Sequence, residues 1–150
     1  FMKRAIELSV ENVDKGGGPF GSVIVKGNKI IAEGANKVTS TNDPTAHGEI
    51  VAIREACKKL NNFNLNGSEL YSSCEPCPMC LSAIYWARIS KIYFANSRAD
   101  AQKIDFDDSL IYSELQKNIN GRKIPMIQMM RNEALRAFEL WDKKIDKVKY

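Results

Sequence analysis

Residues 68–96 read SELYSSCEPCPMCLSAIYWARISKIYFAN, and the parsing of this stretch decides the fold. SELYSS reads as a short strand and SKIYFAN as the next one. Between them Pro78 opens a helix, PMCLSAIYWARI, because proline is favoured at the first helical position, where its missing N–H is not needed. With the strand and helix that precede it, the order strand, helix, strand, helix, strand implies parallel pairing through right-handed crossovers. Three of the chain's four cysteines, Cys74, Cys77 and Cys80, sit where the first strand gives way to the helix. Their C-x-x-C-x-x-C spacing is open to a disulfide, a cluster or a metal site.

The flanking sequence continues the alternation. MKRAIELSVENVDKG places Ala5, Ile6, Leu8, Val10 and Val13 at roughly helical spacing and stops at Gly16. The GGGPFG loop follows. SVIVKGNKIIAEG reads as a hairpin turning at Gly27-Asn28. The polar segment NKVTSTNDPTA then ends in Asp43-Pro44, a helix start with Asp43 as N-cap and Pro44 at the first helical position. The helix runs on through Ile50, Ile53, Cys57 and Leu60, which should face the core, with Gly48 in its interior at a cost of about 1 kcal/mol relative to Ala. Downstream, DFDDSLIYSELQK is helical in its later half, KIPMIQMM reads as a further strand, and NEALRAFELWDKKI as a closing helix. The economical organisation is one α/β domain over residues 1–150 with five strands.

Bulk properties narrow the class. Of the 150 residues, Lys and Arg number 22 and Asp and Glu 18, a net charge of +4. That is too mild and too dispersed for an electrostatic nucleic-acid footprint, so nucleic acid is not the expected partner. No apolar run is long enough to span a membrane and no signal-peptide pattern opens the chain. Four cysteines, three of them bunched, suit a reduced, cytoplasmic setting better than a disulfide framework.

The chain holds one histidine, His47, followed two residues later by Glu49. Pro76-Cys77-Pro78-Met79-Cys80 opens the next helix. Together these match H-x-E followed by P-C-x-x-C, the signature of zinc-dependent nucleobase deaminases. The physics agrees with the match. Pro78 makes Cys77 the N-cap and sets Cys80 about one turn on, and a helix N-terminus stabilises thiolates. His47 and the cysteines stand at two helix starts expected at one edge of the sheet, where α/β proteins form their crevices. Two thiolates and an imidazole leave a tetrahedral zinc one position for water, as in a catalytic site. Glu49 points elsewhere around its helix and can move protons without being a ligand. The rival readings are weaker. A ferredoxin-type cluster lacks its fourth Cys-Pro, and a structural Cys₄ zinc would have to recruit Cys57 from the core face. Cys74 ends the preceding strand and receives no metal role.

On GGPFG, NDPTAHGE, SCEPCPMC, AIYWAR and FDDSLIY, the chain resembles the cytidine deaminase-like superfamily. Within it the chain is similar to the bacterial guanine deaminases over nearly its whole length. One departure is Gly48, where that family has Ala. The resemblance implies a three-layer α-β-α sandwich with a mixed five-stranded sheet, one zinc ion per subunit, and hydrolysis of guanine to xanthine and ammonia. It further implies that His47, Cys77 and Cys80 bind zinc and that Glu49 is the proton shuttle. Asn36 would hydrogen-bond the purine, and Phe20 would pack near the base. Asp108 would contact the guanine edge and assist the leaving amine, and Tyr150 would close the site. A homodimer with an exchanged C-terminal segment is implied as well. Trp86 and Asp107 are left with structural and functional readings both open. The alternatives are a tRNA adenosine deaminase, a deaminase of guanosine, cytosine or an amino-triazine, and a non-catalytic zinc scaffold. Glu49 argues against the scaffold, which needs no carboxylate beside its metal.

Overall fold

The computed structural model describes residues 1–150, which divide into two compact units, Phe1–Asp108 and Ser109–Tyr150. The first unit holds the sheet. In chain order its elements are α1 (Met2–Asp14), β1 (Gly21–Lys26), β2 (Lys29–Ala35), α2 (Val38–Thr41), α3 (Gly48–Leu60), β3 (Ser68–Cys74), α4 (Pro78–Trp86), β4 (Lys91–Asn96) and α5 (Arg98–Gln102). The strand order is β2-β1-β3-β4. β1 pairs antiparallel with both β2 and β3, and β3 pairs parallel with β4. Residues 68–96 therefore form a parallel β-α-β unit. The preceding strand-helix-strand does not make a second parallel pair, because the tight hairpin lays β1 between β2 and β3.

Alternation along the strands builds two faces. Ile24 stands opposite Leu70, which stands opposite Ile92. This row joins Ala52 and Ala56 of α3 and Ile84 of α4 in the main core. Ile24, Leu65 and Leu70 are completely buried, each contributing about 1.5–3 kcal/mol. The alternate row carries Tyr71 stacked on Tyr93 at 4.5 Å, with Phe1, next to α1, against Tyr71 at 5.4 Å. On α1 itself the buried residues are Ala5 and Ser9, while Ile6, Val10 and Val13 of the expected face are exposed.

The α3 helix is shorter than its sequence suggests. It begins at Gly48 with His47 as N-cap, rather than at Asp43-Pro44. The Asp43 carboxylate instead accepts from the amide and hydroxyl of Thr45, at 2.8 and 2.6 Å. This side-chain turn competes with helix formation in the way Asp favours. Gly48 is accordingly the first helical residue, not an interior one, so its helix-propensity penalty is smaller. Small residues face the sheet here: Ala52 and Ala56 are fully buried, whereas Leu60 is 38% exposed. The reason is close approach. A Cβ on Gly34 of β2 would lie 2.2 Å from the Gly48 carbonyl oxygen and 2.5 Å from the Ala52 nitrogen. The glycine thus lets the start of α3 lie directly on the sheet.

The fifth strand expected at KIPMIQMM is not formed. The sheet has four strands, with β4 at its edge. In the second unit, α6 (Ser109–Gln116) leads to a 3₁₀ turn (Ile119–Gly121), then to irregular chain, then to α7 (Arg131–Lys143). Pro125 removes one ladder donor, and an extended segment without a neighbouring strand gains no inter-strand hydrogen bonds. Its side chains are solvent-facing: Ile124 is 78%, Ile127 81% and Met129 77% exposed. The Glu114 carboxylate accepts from the Lys123 amide at 2.6 Å and ties α6 to this segment. No helix is long and apolar enough to cross a membrane.

Candidate active site

Two helix starts make the site. His47 caps α3 in an extended backbone conformation, with φ −66° and ψ 157°. Cys77 caps α4 in nearly the same conformation, with φ −64° and ψ 168°, and Pro78 follows at the first helical position. Cys80 lies one turn into α4 and is fully buried. His47 Nδ1 is 3.6 Å from Cys77 Sγ and 3.5 Å from Cys80 Sγ.

These distances test the site for zinc. Zn–S bonds of about 2.3 Å and a Zn–N bond of about 2.0–2.1 Å at a tetrahedral angle require S···N separations of roughly 3.5–3.6 Å. The observed pairs meet that requirement, and the ligand atoms of His47, Cys77 and Cys80 all lie within 4.8 Å of one another. Three ligands leave one tetrahedral position open. Cys74 and Cys57 stand outside the group. The Cys74 thiol is buried, 3.7 Å from the Ser97 carbonyl oxygen, and burial first, then the Glu49 charge, pushes it up to about 11.

Electrostatics sorts the two ligand thiols. The Cys80 thiol hydrogen-bonded to it, followed by His47 and the backbone amide of Cys80, brings Cys77 down to about 4 against the opposing effect of burial. The end of α4 adds in the same sense. Cys80 in turn holds its proton, because that proton is shared with Cys77 and because it is buried. Binding a metal here releases that proton. The Cys77 thiolate also raises His47 above its ordinary value.

Glu49 is 6% exposed. Burial is the main cause of its raised pKa, and the Cys77 charge adds to it while His47 opposes. Asn36 is 8% exposed, and its side-chain oxygen accepts from the Val38 amide at 3.2 Å. Phe20 packs edge-to-face on Phe106 at 4.8 Å and 88°. Asp108 is half-buried and its carboxyl is raised, by burial first and by Cys77 next, a sign that it shares the electrostatic surroundings of the ligand thiols. Its neighbour Asp107 accepts from Gln102 Nε2 at 3.3 Å. Tyr150 belongs to the second unit and is 72% exposed. Trp86, at the end of α4, is 65% exposed, which excludes a core role within the chain.

Two residues of this region escaped the sequence reading. Phe106 forms a ring pair with Phe20; as the first residue of FDDSLIY it lies inside a quoted motif but receives no role of its own from the sequence. Glu75 accepts from the Arg98 amide at 3.0 Å, while its own amide donates to the Asn96 carbonyl at 2.8 Å. It thereby links the cysteine turn to the start of α5.

Residues 1–96 match the cytidine and deoxycytidylate deaminase zinc-binding region. The chain belongs to the cytidine and deoxycytidylate deaminase family. It is 52% identical to the guanine deaminase of Bacillus subtilis over 151 aligned positions, spanning 100% of this chain and 97% of that one. The crystal structure of the Bacillus subtilis guanine deaminase superimposes with a TM-score of 0.97 over 100% of this chain and 96% of that one. A guanine deaminase from Nitrosomonas europaea aligns with a TM-score of 0.68 at 31% identity, covering 71% of this chain and 63% of the other. The tRNA-specific adenosine deaminase of Aquifex aeolicus is 44% identical, over 63% of this chain and 63% of its own length.

Proposed function

We propose that this protein is a guanine deaminase that hydrolyses guanine to xanthine and ammonia. The observation that carries this reading is similarity to the Bacillus subtilis enzyme across the entire chain. The tRNA-specific adenosine deaminases are less similar: 44% identity over 63% of this chain for that of Aquifex aeolicus, and 39% over 89% for that of Buchnera aphidicola, against 52% over 100% for the guanine deaminase.

His47 Nδ1, Cys77 Sγ and Cys80 Sγ would hold one zinc ion. Zinc supplies a Lewis acid that lowers the pKa of water towards neutrality and so provides the nucleophile. Glu49 takes the proton released by the attacking water and delivers it to a ring nitrogen of the base. The amine then leaves as ammonia, with protons passed by Glu49 and help from Asp108, so that water is consumed and no oxidant is needed. Asp108 accepts from the donors on the guanine edge, and Phe20 packs near the base. The Asn36 side-chain oxygen accepts from the Val38 amide, and its side-chain N–H groups donate to an acceptor on the purine.

The whole chain works as one deaminase domain, and it works as a homodimer in which residues 109–150 are exchanged between subunits and Tyr150 closes the partner's site. The support is the second unit itself. No residue in it is buried, although it carries Ile127, Met129, Phe138 and Trp141. An isolated soluble chain rarely leaves so much apolar surface open.

Incubating the zinc-loaded protein with guanine, guanosine, adenine and cytosine and measuring ammonia tests the substrate. Guanine is expected to release stoichiometric ammonia. Turnover of another base in its place sinks the substrate while keeping the deaminase class.

A further inference from the structure

We propose that Asn12, in the last turn of α1, is a positioning residue that sets Asn36 and the glycine loop for the base; this rests on the reading of Asn36 as a base contact. The Asn12 side-chain Nδ2 donates to two carbonyls at once, Gly18 O at 2.7 Å and Asn36 O at 2.9 Å. Its backbone carbonyl accepts from the Lys15 and Gly17 amides at 3.2 and 2.8 Å. One residue therefore ties the end of α1, the loop and Asn36 together.

Asn36 is otherwise almost fully engaged. Its amide donates to Phe20 O at 3.0 Å, its carbonyl accepts from Asn12, and its side-chain oxygen accepts from Val38. The side-chain N–H groups, with the second lone pair of the side-chain oxygen, are left to meet a ligand. The side chain is short, so any shift of the Asn36 backbone moves those donors directly.

The run of three glycines fits the same device. Gly16 has φ +81°, the left-handed region that favours glycine. A Cβ on Gly17 would lie 2.4 Å from Asn12 Nδ2, and one on Gly18 would lie 3.3 Å from Asn36 Cγ. Gly17 and Gly18 each clear a named part of the Asn12–Asn36 arrangement, while Gly16 supplies the left-handed turn. The Asn12 amide is required as a donor, because both of its partners are carbonyl oxygens.

The test compares Asn12→Ala, Gly17→Ala, Asn36→Ala and the Asn12→Ala/Asn36→Ala double variant of the zinc-loaded full chain. Arg4→Ala serves as a control, since it removes the Arg4–Glu33 clamp between α1 and β2 without touching the loop. Losing these two hydrogen bonds is expected to raise KM for guanine roughly 10-fold, with kcat changed less than about 3-fold, the mark of lost binding rather than lost chemistry. Gly17→Ala displaces the Asn12 amide and should do the same even where Asn12→Ala folds poorly. Zinc content should stay unchanged, and the double variant should be no worse than Asn36→Ala alone. An unchanged KM in Asn12→Ala and Gly17→Ala, multiplicative effects in the double variant, or an equal KM rise in Arg4→Ala overturns the proposal. If Asn36→Ala itself leaves KM unchanged, the base-contact reading falls and takes the proposal with it. That result is distinct from Asn36→Ala raising KM while Asn12→Ala does not.

Discussion

Residues 1–108 and residues 109–150 differ in whether any of their apolar side chains are buried in a core. In the first stretch Ile24, Leu65, Leu70 and Ile84 are at most 2% exposed around a sheet covered by α3 and α4. In the second, Ile124, Ile127 and Phe138 are each more than 70% exposed. The first stretch has its own core and holds every proposed zinc ligand. The second has helices with apolar residues but no core of its own. The chain thus separates a self-sufficient catalytic frame from a segment whose apolar surface calls for a cover, the role the proposed exchange between subunits fills.

The largest expected effect lies in the first stretch and contrasts two buried thiols. Cys80→Ser should abolish stoichiometric zinc, measured by metal analysis of the purified protein. Cys74→Ser should keep it, since Cys74 stands outside the ligand group. Zinc loss in Cys74→Ser would break the division between the two.

Ile127→Lys probes the second stretch. On a surface that stays open to water, such a change shifts stability by no more than about 0.5 kcal/mol. In an exchanged dimer it places a charge in the interface. Light scattering should give twice the chain's 16.9 kDa for the parent and a shift to single chains for Ile127→Lys. Parent and variant both running as single chains would remove the dimer from the account.

Gly34→Ala asks how tightly the frame of the site is set. The added methyl would meet backbone atoms of α3 rather than a flexible side chain. Overpacking of this kind costs typically about 1–3 kcal/mol, and thermal unfolding should show the loss. An unchanged melting temperature would mean that α3 is not pinned by this contact.

How much of this was legible in the sequence depends on whether local or distant partners decide an element. The β-α-β unit from Ser68 to Asn96 was legible because strand pattern, Pro78 and strand pattern are local signals. The grouping of His47, Cys77 and Cys80 was legible because both helix starts carry their own motif. The start of α3 was misread because Asp43-Pro44 gives the same signal as a helix cap, while the Asp43–Thr45 side-chain turn won locally. The fifth strand was misread because KIPMIQMM has a strand's composition, yet a strand exists only where another strand pairs with it. Of the expected core face of α3, Ile50 is buried and Ile53 and Cys57 pack against the core, while Leu60 is exposed and Ala52 and Ala56 take the closest approach to the sheet, which Gly34 permits. The role of Asn12 was invisible, since an Asn near a helix end is ordinary until its two carbonyl partners are known.

The central claim is that two helix starts hold a zinc ion beside a buried carboxylate that moves protons. Glu49→Gln tests it most directly, with zinc content and guanine-dependent ammonia release measured on the same sample. One zinc per chain should persist while turnover falls by about 10²–10⁴-fold. Turnover within a few-fold of the parent, with zinc in place, would contradict the account.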